Sequence, residues 1–132
     1  MRKEINKIGT IRYYNENNKL HREDGSAIEY ADGEKCWYKN GERHREDGPA
    51  REFADGEKHW YKNGKLHRED GPAIEYANGN KIWYKNGQFH REDGPAVKYA
   101  NGVKEYWYND IYYPEIRTDE EWKRFVKLMV FQ

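Results

Sequence analysis

Between Ala73 and Gly94 apolar and polar positions alternate. Ala73-Ile74-Glu75-Tyr76-Ala77 is followed by Asn78-Gly79, then by Lys81-Ile82-Trp83-Tyr84-Lys85 and a second Asn-Gly at 86–87. Alternation marks half-buried strands, and Asn-Gly between two such runs marks a tight hairpin, because both central residues of a type I′ turn take positive φ. A two-residue turn at Asn78-Gly79 pairs Ala77 with Asn80, Tyr76 with Lys81, Glu75 with Ile82 and Ile74 with Trp83. Directly opposed residues share a face. The predicted buried face is therefore Ile74, Tyr76 and Trp83, with Ile28, Tyr30 and Trp37, and Val97, Tyr99 and Tyr106, as counterparts.

The same grammar recurs along the chain. His21-Arg22-Glu23-Asp24-Gly25 returns at His44, His67 and His90, a period of 23 residues, with Trp37, Trp60 and Trp83 in register. Such periodicity signals a repeat array. Identical neighbouring units require an even number of strands each, since an odd number would reverse every second unit, and this predicts two strands per unit. His-Arg-Glu-Asp-Gly-Pro then links one hairpin to the next. Pro49, Pro72 and Pro95 fit that role because proline cannot donate to a central ladder; Ser26 replaces proline in the first unit and predicts a looser end. The array spans residues 11–113: a partial unit at 11–20, then full units starting at 21, 44, 67 and 90, the last degenerate. Residues 1–10 are a lead-in.

The period changes after Pro114. Thr118-Asp119-Glu120-Glu121 is a capping box, and Trp122, Phe125, Val126, Met129 and Val130 form the stripe of an amphipathic helix. Residues 114–132 are thus a linker and a helix that covers the open end of the array, as terminal units of repeat proteins must. The fold class is all-β, an elongated antiparallel sheet of stacked hairpins with a C-terminal capping helix.

Composition explains how so polar a chain folds. Mean hydropathy is −1.38, but 5 Trp, 12 Tyr and 4 Phe supply large apolar surfaces with polar tips. Lys+Arg and Asp+Glu balance at 24 each, which removes the electrostatic case for general nucleic-acid binding and disfavours membrane association. No apolar run suits a membrane span or a secretory signal. The single cysteine, Cys36, gives no support to an oxidising compartment. A cytoplasmic location, bacterial or in an infected host, is expected.

The candidate chemistry is mostly structural. Histidine beside carboxylates suits acid–base or metal chemistry, but this string occurs four times, and equivalent positions two strands apart lie about 10 Å from one another, too far for a shared metal. His21, His44, His67 and His90 are read as bonding neighbouring units, with Asp24, Asp47, Asp70 and Asp93 pairing with arginines across unit boundaries. Cys36 shares its column with His59, Ile82 and Glu105, which predicts a solvent-facing, unspecialised position. No catalytic residue, metal or cofactor is expected. The departures from the repeat carry more information: Arg43 and Arg51 stand in apolar columns, with His59 nearby. Beside Phe53 and Trp60 they have the composition of an interface hot spot, or of an anion-binding spot with aromatic stacking, and Trp37 and Trp83 join them as candidate binding residues.

Trp60-Tyr61-Lys62-Asn63-Gly64-Lys65-Leu66-His67 followed by Tyr76-Ala77-Asn78-Gly79 resembles the MORN repeat family, over about residues 11–113. Here Arg-Glu-Asp intervenes between the His and the Gly that in the family follows closely. The resemblance implies an antiparallel sheet of stacked hairpins used for protein–protein contact, sometimes for oligomerisation or lipid association, and no catalysis. Units of the His-Arg-Glu-Asp-Gly-Pro-Ala type also resemble bacteriophage and large-virus proteins. The expected function is a non-enzymatic scaffold that binds another protein, with homodimerisation through a sheet end or the helix open. The alternative is a small-ligand or nucleotide-binding protein, such as a phage-encoded inhibitor or sponge of host defence.

Overall fold

The computed structural model describes residues 1–130, so the last two residues of the expected helix segment lie outside the described residues. The chain divides into two compact units, Met1–Leu66 and His67–Gln132. The first contains β1 (Arg2–Ile5), β2 (Ile11–Tyr14), β3 (Ile28–Glu29), β4 (Lys35–Cys36), β5 (Tyr38–Lys39), β6 (Glu42–Arg43), β7 (Arg51–Glu52), β8 (Lys58–His59), β9 (Tyr61–Lys62) and β10 (Lys65–Leu66). Its main sheet runs β1-β2-β3-β4-β7-β8, antiparallel throughout, with β5–β6 and β9–β10 as separate small hairpins. The second unit contains β11 (Ile74–Glu75), β12 (Lys81–Ile82), β13 (Tyr84–Lys85), β14 (Gln88–Phe89), β15 (Val97–Lys98), β16 (Lys104–Glu105), β17 (Trp107–Tyr108), β18 (Ile111–Tyr112) and α1 (Asp119–Val130). There β11-β12-β15-β16 form the main sheet, and β13–β14 and β17–β18 the small hairpins. The antiparallel hairpins and C-terminal helix of the expected fold class are all present. The lead-in at 1–10 is itself a strand, β1, paired along β2.

Each repeat holds four short strands rather than two. The parity argument survives, because four is even, but the run expected as one strand is split at the tryptophan. Trp37 gives its N–H to the Ala50 carbonyl in the main sheet (2.7 Å), and its own carbonyl accepts from His44 in the connector (3.1 Å). Trp83 does the same with Ala96 and His90. One residue thus passes the chain from the main sheet to a small hairpin.

The two turns of a repeat also differ. At 40–41 Asn40 (φ 50°) and Gly41 (φ 85°) are both left-handed and Lys39 faces Glu42, a two-residue type I′ turn of the kind expected at 78–79. At 78–79 only Gly79 has positive φ (96°), Tyr76 N–H bonds the Asn80 carbonyl (2.9 Å), and Asn78 Oδ1 accepts from Asn80 N–H (3.0 Å). This is a three-residue loop, and it moves the register by one: Ile74 opposes Ile82, not Trp83. A one-residue slip changes which side chains share a face. The buried apolar side chains of the repeats include Ala27, Ala50, Ala73 and Ala96, all at 0 %, with Ile28, Ile74, Val97, Cys36 and Tyr106. Tyr30, Tyr76, Tyr99, Trp37 and Trp83 are only half-buried, which corrects most of the aromatic part of the predicted face.

Helix α1 begins as its sequence dictates: Thr118 Oγ1 accepts from Glu121 N–H (3.2 Å) and donates to the Glu121 carboxylate (3.0 Å). Trp122 and Val126 are buried against Tyr106, with Tyr113, Ile116, Phe125 and Met129 around them. The Trp122 indole donates to the Arg91 carbonyl (2.8 Å) and the Tyr106 hydroxyl to Asp119 (2.7 Å). Val130, assigned to the buried stripe, is 54 % exposed: it lies past the end of the apolar surface the helix covers. Among the described residues no helix is long and apolar enough to cross a membrane.

Candidate functional site

The four connectors are built alike. The Nδ1 atoms of His21, His44, His67 and His90 accept the backbone N–H of Asn40, Asn63, Asn86 and Asn109, at 2.9–3.2 Å. In the first three the other ring nitrogen meets Glu23, Glu46 or Glu69 at 2.5–2.7 Å. A backbone amide can only donate, so each ring is held as the neutral tautomer with its hydrogen on Nε2. Every bond lies within the repeat that begins at that histidine, so these side chains close their own unit rather than tie a neighbour.

The arginines are equally local. Arg22 Nε pairs with Asp24, while Nη1 reaches the Ser26 carbonyl and Glu29. Arg45 repeats this with Asp47, Pro49 and Glu52, and Arg68 with Asp70, Pro72 and Glu75; Arg91 holds Asp93 and Pro95. The predicted pairing across unit boundaries is therefore corrected: the Arg–Asp bonds span two residues, which the tight connector brings together. Ser26 keeps the clamp of the prolines and adds a bond to Glu29 (3.1 Å), so the geometry shows no loosening there. Arg22 lies 4.0 Å from the Tyr13 ring centroid, Arg45 3.9 Å from that of Trp37, and Arg91 4.0 Å from that of Trp83. Trp37 and Trp83 thus belong to the clamp.

The remaining candidates gather in the first unit. Arg51 lies directly between Cys36 and His59 in the ladder, its Nε 2.6 Å from Glu34 and its guanidinium 4.4 Å from the Phe53 centroid. His59 meets Phe53 at 5.1 Å between centroids, stacks at 6.5 Å with Tyr61, and binds Glu57 through Nε2 (2.6 Å). Its Nδ1 is buried with no hydrogen-bond partner. Burial lowers the His59 pKa, against the raising effect of Glu57. Arg43 sits between Tyr38 and Tyr61, donating to both hydroxyls (3.2 and 3.4 Å). Arg43, Arg51, Phe53 and His59 therefore come together. Trp60 is half-buried, but the ring contacts of the two arginines fall on Phe53, Tyr38 and Tyr61.

Cys36 is 2 % exposed, which overturns the solvent-facing expectation. Burial, with Glu34 beside it, raises its pKa to about 11. Sequence reasoning also passed over Tyr38, Tyr61, Glu34 and Glu57. A signal for the acids was present: the column reads Glu34, Glu57, Asn80, Val103, acidic only beside Arg51 and His59.

The chain matches no known family model and no curated protein. Among the described residues no group of three or more His, Cys, Asp or Glu side chains is placed to hold a metal. A cavity of about 550 Å³ lies in the first unit over Trp37 and Tyr38, with Glu23, Asp24, Glu46 and Asp47 in its walls beside Arg22, Lys39 and Arg45.

Proposed function

We propose that this chain is a non-enzymatic repeat scaffold, MORN-like in use, that holds another protein against the Arg43–Arg51–Phe53–His59 face. One observation carries the reading: the residues that break the repeat collect in one place and cost stability there. A buried ring nitrogen without a partner is unfavourable, and Arg51 stands where the sister units place Ile28, Ile74 and Val97. Local rules are broken at functional sites and compensated elsewhere. The repeated His-Arg-Glu-Asp strings are occupied with their own connectors, which supports a structural role for them and no reaction.

The second reading, a nucleotide or small-ligand sponge of the phage type, is less well supported. The cavity over Trp37 in the first unit sets Arg22, Lys39 and Arg45 against four connector carboxylates, so its wall carries no excess positive charge to select a phosphate-bearing guest. A cytoplasmic location belongs to the same proposal.

The test is a reversal to the repeat pattern. Arg51→Ile with His59→Ile restores the residues of the 74–82 unit, so the fold is kept. Affinity capture from cells that express the protein should recover a partner with the native chain and lose it with the double variant. Equal recovery by both would remove this face from the function.

A further inference from the structure

Of the ring-stacked arginines in the first unit, four have a carboxylate within 4.0 Å: Arg2 with Glu4, Arg22 with Asp24, Arg45 with Asp47 and Arg51 with Glu34. Arg43 has none among the described residues. Its guanidinium lies 5.9 Å from the Tyr38 centroid and 5.4 Å from that of Tyr61, half-buried, with its hydrogen bonds going to the two phenol oxygens. Burial works against its charge, yet those bonds outweigh it and the pKa stays above the ordinary arginine value. The cation is permanent, and charges taken from water are normally paired.

The phenols matter as much as the cation. Each oxygen accepts from Arg43, so each hydroxyl hydrogen points to another acceptor, and neither finds one among the described residues. Two O–H donors and the remaining guanidinium N–H groups therefore flank one half-buried cation. Hydrogen bonds from such groups to an ionised oxygen are the stronger, charge-assisted kind. The repeat pattern sharpens the point. Leu20, Leu66 and Phe89 fill the same column, and Leu66 opposes Tyr61 as Arg43 opposes Tyr38. An apolar residue is thus what the fold needs there.

We propose that Arg43, Tyr38 Oη and Tyr61 Oη receive an oxyanion, a phosphate or carboxylate group presented by the partner. This rests on the scaffold reading for the source of the anion but not for the site. The site complements a group with at least two acceptor oxygens, and Arg51, held by Glu34, is near enough to act on His59 together with Arg43.

The experiment follows the ring signals of Tyr38 and Tyr61 by NMR during titration with inorganic phosphate and, separately, acetate. In the native chain both rings should shift along one saturating curve, and the anion that saturates lower names the group. Arg43→Leu, which installs the residue at 66, should abolish the shifts while leaving the melting temperature unchanged or higher. Tyr38→Phe should weaken binding at least threefold. Rings of the native chain that do not move with either anion, or that move equally in Arg43→Leu, would overturn the proposal. Capture of a partner equally well by Arg43→Leu would remove the oxyanion contact and leave the scaffold standing. Saturable phosphate binding with no partner recovered by the native chain would do the reverse.

Discussion

The thiol of Cys36 lies at 2 % exposure beside Glu34, and burial and that carboxylate push its pKa up to about 11. At pH 8 it is protonated, and the thiolate is the nucleophile. Alkylation by iodoacetamide should therefore be at least tenfold slower in the native protein than in urea, measured by mass shift with time. Equal rates would mean the sulfur is reachable in the folded chain. Two positions away in the ladder, His59 supplies a stability test. Replacing it with Ile, as at 82, removes the buried unpaired Nδ1 and should raise unfolding free energy by about 1 kcal/mol, read from urea denaturation. A loss of that size would show that the Glu57 bond outweighs the orphan nitrogen. Neither environment follows from residue type: Cys, His, Ile and Glu in one column suggested indifference to burial, yet Cys36 is closed off and His59 is half-buried.

Connectors and helix are the elements on which the units depend. Gly71 is needed for space rather than for φ: a Cβ there would lie 2.9 Å from Arg68 Cζ. Gly71→Ala should displace the guanidinium from Asp70, Pro72 and Glu75 and cost about 1 kcal/mol, because the atom met is the end of a flexible side chain in a largely exposed ion pair. A thermal melt unchanged by this substitution would show that the clamp adds little. In α1, Trp122 is fully buried and donates to the Arg91 carbonyl. Trp122→Ala should destabilise by about 3–5 kcal/mol, enough to expose Tyr106 and raise tyrosine accessibility in the second unit. The capping box and apolar stripe made this helix legible beforehand. The strands were legible as hairpins but not in register, because Asn-Gly serves both a two-residue and a three-residue loop. The choice depends on whether Asn itself turns left-handed, as Asn40 does and Asn78 does not.

For the whole molecule the shared consequence is acid sensitivity. Burial lowers the pKa of His90, with Lys85 adding to the effect and Glu92 opposing it, and burial likewise lowers that of His59. A folded-state pKa below the unfolded value means the unfolded chain takes up the proton first. Stability from these groups is thus present above about pH 6.5 and lost as pH falls through the folded value. The His44 hydrogen bond lowers the pKa of Glu46, so its contribution is present above 4.5 and lost below, in the same direction. The urea midpoint should fall steadily from pH 7 to pH 4. A midpoint constant down to pH 5 would contradict the neutral tautomer at His90, whose Nδ1 must stay unprotonated to accept from Asn109.

Periodicity, turn residues and the helix stripe are properties of neighbours along the chain. The 23-residue repeat, one hairpin of each unit, the helix and the odd residues at 43, 51 and 59 were therefore determined by sequence alone. Register, partner choice and burial depend on distances between residues far apart in the chain. Only the tertiary structure decided that the strand breaks at Trp37, that the Arg–Asp pairs stay within their connectors, and that Arg43 is left between two phenols with no carboxylate partner among the described residues.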